Sequence, residues 1–207
     1  MKAIIENQII TDFLRDESHV AFIPAEAVGI DPSIMIGGIL EEISSVLVDE
    51  ENTHFSFING CLIHKDTKTL VLGTNRCSIP NDRSIEKVGV CAFCGNTENK
   101  EVVIPDGVRV LEIGCFSNSA IQRIVLPESV ELVRGNAFGV CPELSEVVVL
   151  GKSTCFEPSA FARVLNNGKP MPEAFRQFTN PALVIKSKEG AAVEECAAIN
   201  KLRIERI

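Results

Sequence analysis

Three short apolar runs, Val102-Val103-Ile104, Ile124-Val125-Leu126 and Val147-Val148-Val149, recur through the middle of the chain, and each has the length of a strand with a buried face. Pro105 and Pro127 close the first two, ending each strand without leaving a ladder donor unpaired. Between the runs, phenylalanines at 93, 116, 138 and 161 are separated by 23, 22 and 23 residues. Five residues before each stands Val88, Leu111, Val133 or Phe156, and immediately before each stands the small residue Ala92, Cys115, Ala137 or Ala160. A large residue at one point and a small one at the other is what a tightly wound turn around a shared core requires. The pattern predicts stacked repeats, each giving a strand, a turn and an irregular return.

Aligning the repeats on their phenylalanines turns Val102/Ile104, Ile124/Leu126 and Val147/Val149 inward. Alternation then points Glu101/Val103, Arg123/Val125 and Glu146/Val148 outward, giving a row of three valines beside a charge row of Glu, Arg and Glu.

Ile104-Pro105-Asp106-Gly107-Val108 and Leu126-Pro127-Glu128-Ser129-Val130, with Ala137-Phe138-Gly139-Val140-Cys141-Pro142-Glu143-Leu144, resemble the BspA-like leucine-rich repeat family of bacteria. Ile5 to Ile10 followed by Val20-Ala21-Phe22-Ile23-Pro24 is similar to the opening hairpin and first repeat of such domains. Val48 to Leu70 resembles the family's internal hairpin insert, with Asn59-Gly60 as a type I′ turn. Leu183-Val184-Ile185, residues 190–200 and Leu202-Arg203-Ile204 look like its closing strand, helix and strand, with Val193, Cys196 and Ala197 on one helix face and Asn200 as a left-handed cap. The resemblance implies a right-handed, mainly β solenoid with minor helix, a single domain over 1–207. Hairpins and a first repeat would occupy 1–75, regular repeats 76–165, and an irregular loop and helix-strand cap 166–207. Asn99 departs from the repeat, standing where Leu144 stands later, and Asn166 to Asn180 fits no repeat.

Composition narrows the functional classes. The chain has 207 residues, 45% of them hydrophobic, enough for a substantial core. A net charge of −8 with no basic cluster removes nucleic acid as an expected partner. The longest stretch without a charge, Asn52 to His64, is polar and too short to span a bilayer, so no membrane insertion is expected. Met1 to Ile5 starts like a secretion signal but is interrupted by Glu6-Asn7-Gln8, so the expected location is the cytoplasm, with the cell surface or secretion as the alternative for a trimmed form. Eight cysteines scattered through a chain that needs no staples read as reduced, buried small hydrophobes. Trp and Tyr, common anchors of binding sites, are both absent.

The chemical motifs read as structure. Cys91-Ala92-Phe93-Cys94 has the spacing of a zinc or redox pair but lacks a second pair, and its Phe is a core residue of the repeat. Gly151-Lys152-Ser153 lacks the upstream glycine of a phosphate loop. His19, His54 and His64 stand in no catalytic or metal-spaced signature, and Asp49-Glu50-Glu51-Asn52 lacks the alternating ligands of a calcium loop and reads as a solvated turn. No catalytic residue, cofactor or metal is assigned. The resemblance implies a non-enzymatic interaction module, and the expected contact residues on its strand face are Glu101, Val103, Arg123, Val125, Glu146 and Val148. Its expected partner is a protein, a glycan or a second copy of the chain. The alternatives are an enzyme with its site near residues 166–180, or a structural spacer.

Overall fold

The computed structural model describes residues 1–36, 42–75, 77–161, 164–165, 169–170, 180 and 182–207. In chain order these form β1 (Lys2–Glu6), β2 (Ile9–Leu14), β3 (Val20–Ile23), β4 (Gly29–Ile30), α1 (Pro32–Ile36) and β5 (Ser45–Val48). A second group follows: β6 (Phe55–Ile58), β7 (Cys61–His64) and β8 (Thr69–Gly73). The repeats supply β9 (Lys87–Val88), β10 (Glu101–Val103), β11 (Val110–Leu111), β12 (Arg123–Leu126), β13 (Leu132–Val133), β14 (Glu146–Val149) and β15 (Cys155–Phe156). The chain closes with β16 (Val164–Leu165), β17 (Lys169–Pro170), β18 (Val184–Ser187), α2 (Val193–Asn200) and β19 (Arg203–Arg206).

The result is a mainly β solenoid with few helices. One ladder runs β10-β12-β14-β18-β19, every pair parallel. A second runs β15-β13-β11-β9-β8-β7-β6, parallel until β8 and antiparallel through the hairpin that ends it. The turns between the ladders are themselves bonded repeat to repeat: the amides of Phe93, Phe116 and Phe138 donate to the carbonyls of Cys115, Ala137 and Ala160. Between them lie the four repeat phenylalanines, stacked at ring-centre separations of 4.8, 6.0 and 5.3 Å, with Phe156 extending the stack at 5.9 Å from Phe161. Gly73 is glycine because of this stack, since a Cβ there would come within 2.2 Å of the Phe93 ring.

The first 48 residues build a separate five-stranded sheet, ordered β4-β2-β1-β3-β5. Its hairpin turns at Asn7 and Gln8, both at positive φ, and the β6–β7 hairpin turns at Asn59 and Gly60 with φ of 50° and 80°, the signs a type I′ turn requires. The buried side chains form two clusters, and β7 with β8 divides them: Cys61, Ile63 and Leu70 face the phenylalanine stack, Leu62 and Leu72 the core under the N-terminal sheet. A bulge between Leu62 and Ile63 slips the pairing by one residue, which lets β8 change the face it buries.

Two turn positions recur at positive φ in consecutive repeats. One holds Cys91, Gly114 and Asn136, the other Gly95, Asn118 and Val140. Glycine and asparagine suit that conformation, whereas the β-branched Val140 at φ 57° is strained. Replacing it by the residue of the preceding repeat, Val140→Asn, is expected to raise stability by about 1 kcal/mol, read as a higher urea midpoint with unchanged slope. A lower midpoint would mean that the half-buried valine contributes more by packing than its backbone loses.

At the C-terminal end α2 lies over the last repeat with Val193, Cys196 and Ala197 buried. The left-handed cap is Lys201, at φ 56°, not Asn200. Asn200 stays helical because its side chain is engaged elsewhere, its amide donating to the carbonyls of Pro158 and Cys196 at 2.9 Å each. The cysteines are all free, but they are not uniformly buried: Cys77 and Cys94 are half-exposed, and Cys155 is exposed because it points away from the core on the outermost strand of its sheet. In the acidic turn, Asn52 is buried rather than solvated. Its amide donates to the carbonyls of Pro24 and Ala27, and its carbonyl accepts from the amides of His54 and Phe55.

Candidate functional site

The outward side chains of β10, β12 and β14 stand in the predicted register. Glu101, Arg123 and Glu146 form one row; Val103, Val125 and Val148 form the next. Their inward neighbours, from Val102 and Ile104 to Val147 and Val149, are all buried.

The rows do not end where the repeats end. Strand β18 continues the ladder, placing Val184 beside Glu146 and Lys186 beside Val148. Lys186 reaches back along its neighbour, and its ammonium meets one oxygen of Glu146 at 2.6 Å while the Arg123 guanidinium meets the other at 2.6 Å. Hydrogen bonds from Lys186 first and Arg123 second hold the Glu146 carboxyl below its usual range. Long aliphatic stems bent across a strand cover what lies beneath them. Val148 is therefore only 6% exposed, and the expected row of three surface valines is corrected to a gradient: Val148 buried, Val125 half-buried, Val103 64% exposed. Val103 stands on the edge strand of the ladder and is more exposed than any other large hydrophobic side chain among the described residues.

Elsewhere the solenoid surface is neutralised along its axis. Lys68 pairs with Glu86 and Arg109 with Glu131, while Arg134 lies between Glu112 and Glu157 at 3.1 and 3.6 Å. These residues occupy equivalent places in successive turns, so opposite charges meet across the repeat interface. Such exposed pairs contribute little stability individually. Their effect on recognition is to leave that flank without a strong field of one sign.

A further apolar row lies on the N-terminal sheet, away from the expected contact residues. Leu14, Lys2, Phe22 and Leu47 are register partners across β2, β1, β3 and β5. Leu14 is 55%, Phe22 39% and Leu47 61% exposed. The signal was present in the alternation of Phe13 with Leu14 and of Phe22 with Ile23, but alternation within single strands does not give the order in which β2, β1, β3 and β5 pair.

The remaining motifs lie in turns and hairpins. The thiols of Cys91 and Cys94 hydrogen-bond within one turn, an interaction that lowers the Cys91 thiol. Among the described residues no group of three or more His, Cys, Asp or Glu side chains is arranged to hold a metal ion. His54 pairs with Asp66 at 2.5 Å, and His64 meets the Val28 carbonyl at 2.9 Å, tying the hairpin to the N-terminal sheet. Gly151 belongs to a tight turn in which a Cβ would approach the Thr154 hydroxyl to 2.5 Å. Of the segment 166–180, where an enzyme's site was the alternative expectation, all but residues 169, 170 and 180 lies outside the described residues. No described helix is long and apolar enough to cross a membrane.

Comparison with known proteins agrees with this architecture. A family model of the BspA type leucine rich repeat region matches residues 73–182 in six copies, more than half of the chain. No curated protein matches it in sequence. Among solved structures, the pneumococcal vaccine antigen PcpA superimposes with a TM-score of 0.52 at 14% identity, covering 91% of this chain and 56% of the antigen. A leucine-rich repeat protein from Eubacterium ventriosum gives a TM-score of 0.52 at 20% identity, covering 70% of this chain and 46% of the other. The chain thus spans about half the length of each, and at these identities the likeness is one of fold.

Proposed function

The chain belongs to the BspA-type leucine-rich repeat family, and from that premise we propose that it is a non-enzymatic interaction module that binds a protein partner through the strand face of its solenoid. The observation that carries this reading is the exposure of Val103 on an open edge strand, with Val125 beside it and Arg123 held in place by Glu146. An apolar centre with one oriented guanidinium suits a protein surface that offers an apolar side chain and a carboxylate. A protein is favoured over a glycan because the face carries no aromatic ring on which a sugar could stack. As part of this reading the protein resides in the cytoplasm, where eight unpaired thiols would persist.

The row Leu14, Phe22 and Leu47 supports a second reading, in which the N-terminal sheet supplies the contact. One experiment separates the two. The immobilised parent, Val103→Glu and Leu47→Glu are each exposed to lysate of the source organism, with circular dichroism confirming that both variants fold. The strand-face reading expects Val103→Glu to lose the proteins that the parent retains and Leu47→Glu to keep them. The opposite pattern would transfer the contact to the N-terminal sheet.

A further inference from the structure

Asn99 occupies a place that the other repeats fill with an apolar core residue: Ile121 and Leu144 are buried there, whereas Asn99 is half-exposed. Its polar end has a definite task. The Asn99 side-chain amide donates to the Cys77 sulfur at 3.1 Å. Cys77 itself lies against the β6–β7 turn, so closely that a Cβ on Gly60 would approach the Cys77 Cβ to 2.8 Å. The next residue after that glycine is Cys61, fully buried, whose thiol is 3.7 Å from the carbonyl of Ser78, the residue after Cys77. The two sulfurs therefore share one corner of the core. Contact with the Cys61 thiol, and then the Asn99 amide, lower the Cys77 thiol; the same contact, with burial, pushes Cys61 up. One sulfur is half-exposed and the more acidic of the two, and the other is buried with its thiol pushed up, which is the division of labour between an attacking and a resolving cysteine.

We propose that Cys77 and Cys61 form a reversible, peroxide-sensitive thiol pair that clips the hairpin insert to the start of the repeats. The Cys77 thiolate attacks one oxygen of a peroxide; the O–O bond breaks, and with hydrogen peroxide the departing hydroxide takes a proton and leaves as water. Cys77 is then a sulfenic acid. The Cys61 sulfur attacks it, the S–O bond breaks, a second water leaves, and the S–S bond forms. Two electrons pass from the two thiols to the peroxide. A dithiol reductant returns both thiols by exchange.

This geometry accounts for two local features at once: the asparagine where later repeats carry Ile121 and Leu144, and the closeness of the hairpin glycine to a cysteine. It also sets this pair apart from other thiols. Cys155 is the most accessible, but the thiol beside it, Cys196, is pushed up to about 11 by burial first and the charge of Cys155 after it, and Cys115 is fully buried and pushed well up by desolvation. Cys91 and Cys94 share a turn and are the competing pair.

The test uses the intact chain, reduced and then treated with hydrogen peroxide, alkylated and mapped by mass spectrometry. The expected result is a linked peptide joining Cys61 to Cys77, lighter by two hydrogens and abolished by dithiothreitol, appearing before any link between Cys91 and Cys94. Asn99→Leu restores the residue type of the other repeats and removes the amide, and it should slow Cys77 oxidation several-fold while leaving that of Cys155 unchanged. A chain in which Cys91 and Cys94 link first, in which Cys77 oxidises without joining Cys61, or in which Asn99→Leu leaves the Cys77 rate unaltered would overturn the proposal.

Discussion

Truncating Phe116 to alanine is expected to cost about 3–5 kcal/mol, a large share of the stability of a domain this size. The ring is fully buried, with Phe93 stacked at 4.8 Å on one side and Phe138 at 6.0 Å on the other. No neighbouring side chain can fill the void without breaking one of these stacks, because the backbone on each side is fixed by the turn hydrogen bonds of Phe93, Phe116 and Phe138. Location adds a second consequence. In a stack where each turn touches only its neighbours, stability is a sum of turn and interface terms, and removing an interior interface uncouples what lies on either side. Urea unfolding of Phe116→Ala should therefore show both a lower midpoint and a shallower or two-step transition. A loss under 1 kcal/mol with an unchanged slope would mean that the phenylalanine stack is not what joins the repeats.

Val193→Asp is expected to be nearly as damaging, at about 3–5 kcal/mol. Val193 is fully buried at the first turn of α2. A helix N-terminus welcomes a negative charge, but that benefit is roughly 0.3–1 kcal/mol and is already taken up by Glu194 and Glu195, so desolvation of an unpaired carboxylate dominates. The helix should detach from the last repeat and expose β15, and a solenoid that loses its terminal cap loses solubility as well as stability. Thermal melting of Val193→Asp beside the parent measures this. Equal melting temperatures would show that α2 does not cover the core.

The residues that made the solenoid legible are those that repeat in register. Phenylalanines spaced by 22 or 23 residues, a small residue before each and a closing proline fix the strand, the turn and the inward face together, and each phenylalanine and the small residue before it is buried as expected. Asn59-Gly60 was equally readable, because only a turn with two positive φ angles suits that pair between apolar strands. What escaped the sequence was decided by neighbours far along the chain. Val148 looks like Val103 in any local window; it is buried because Lys186, from a strand outside the repeat pattern, lies beside it. Lys201 rather than Asn200 takes the left-handed cap because the asparagine side chain finds Pro158. The N-terminal sheet carries exposed apolar residues that alternation hints at, yet their alignment into one row depends on β1 sitting between β2 and β3.

The strand face is the part of the surface on which the functional reading rests. Its direct measurement is a hydrogen-exchange footprint of the complex with the protein captured from lysate, compared peptide by peptide with the free chain. The account predicts slowed exchange concentrated in peptides from β10 and β12, around Val103, Arg123 and Val125, with β1 to β5 unchanged. Protection confined to the N-terminal sheet, or to the flank carrying Arg109, Glu131 and Arg134, with β10 and β12 exchanging as in the free chain, would contradict it.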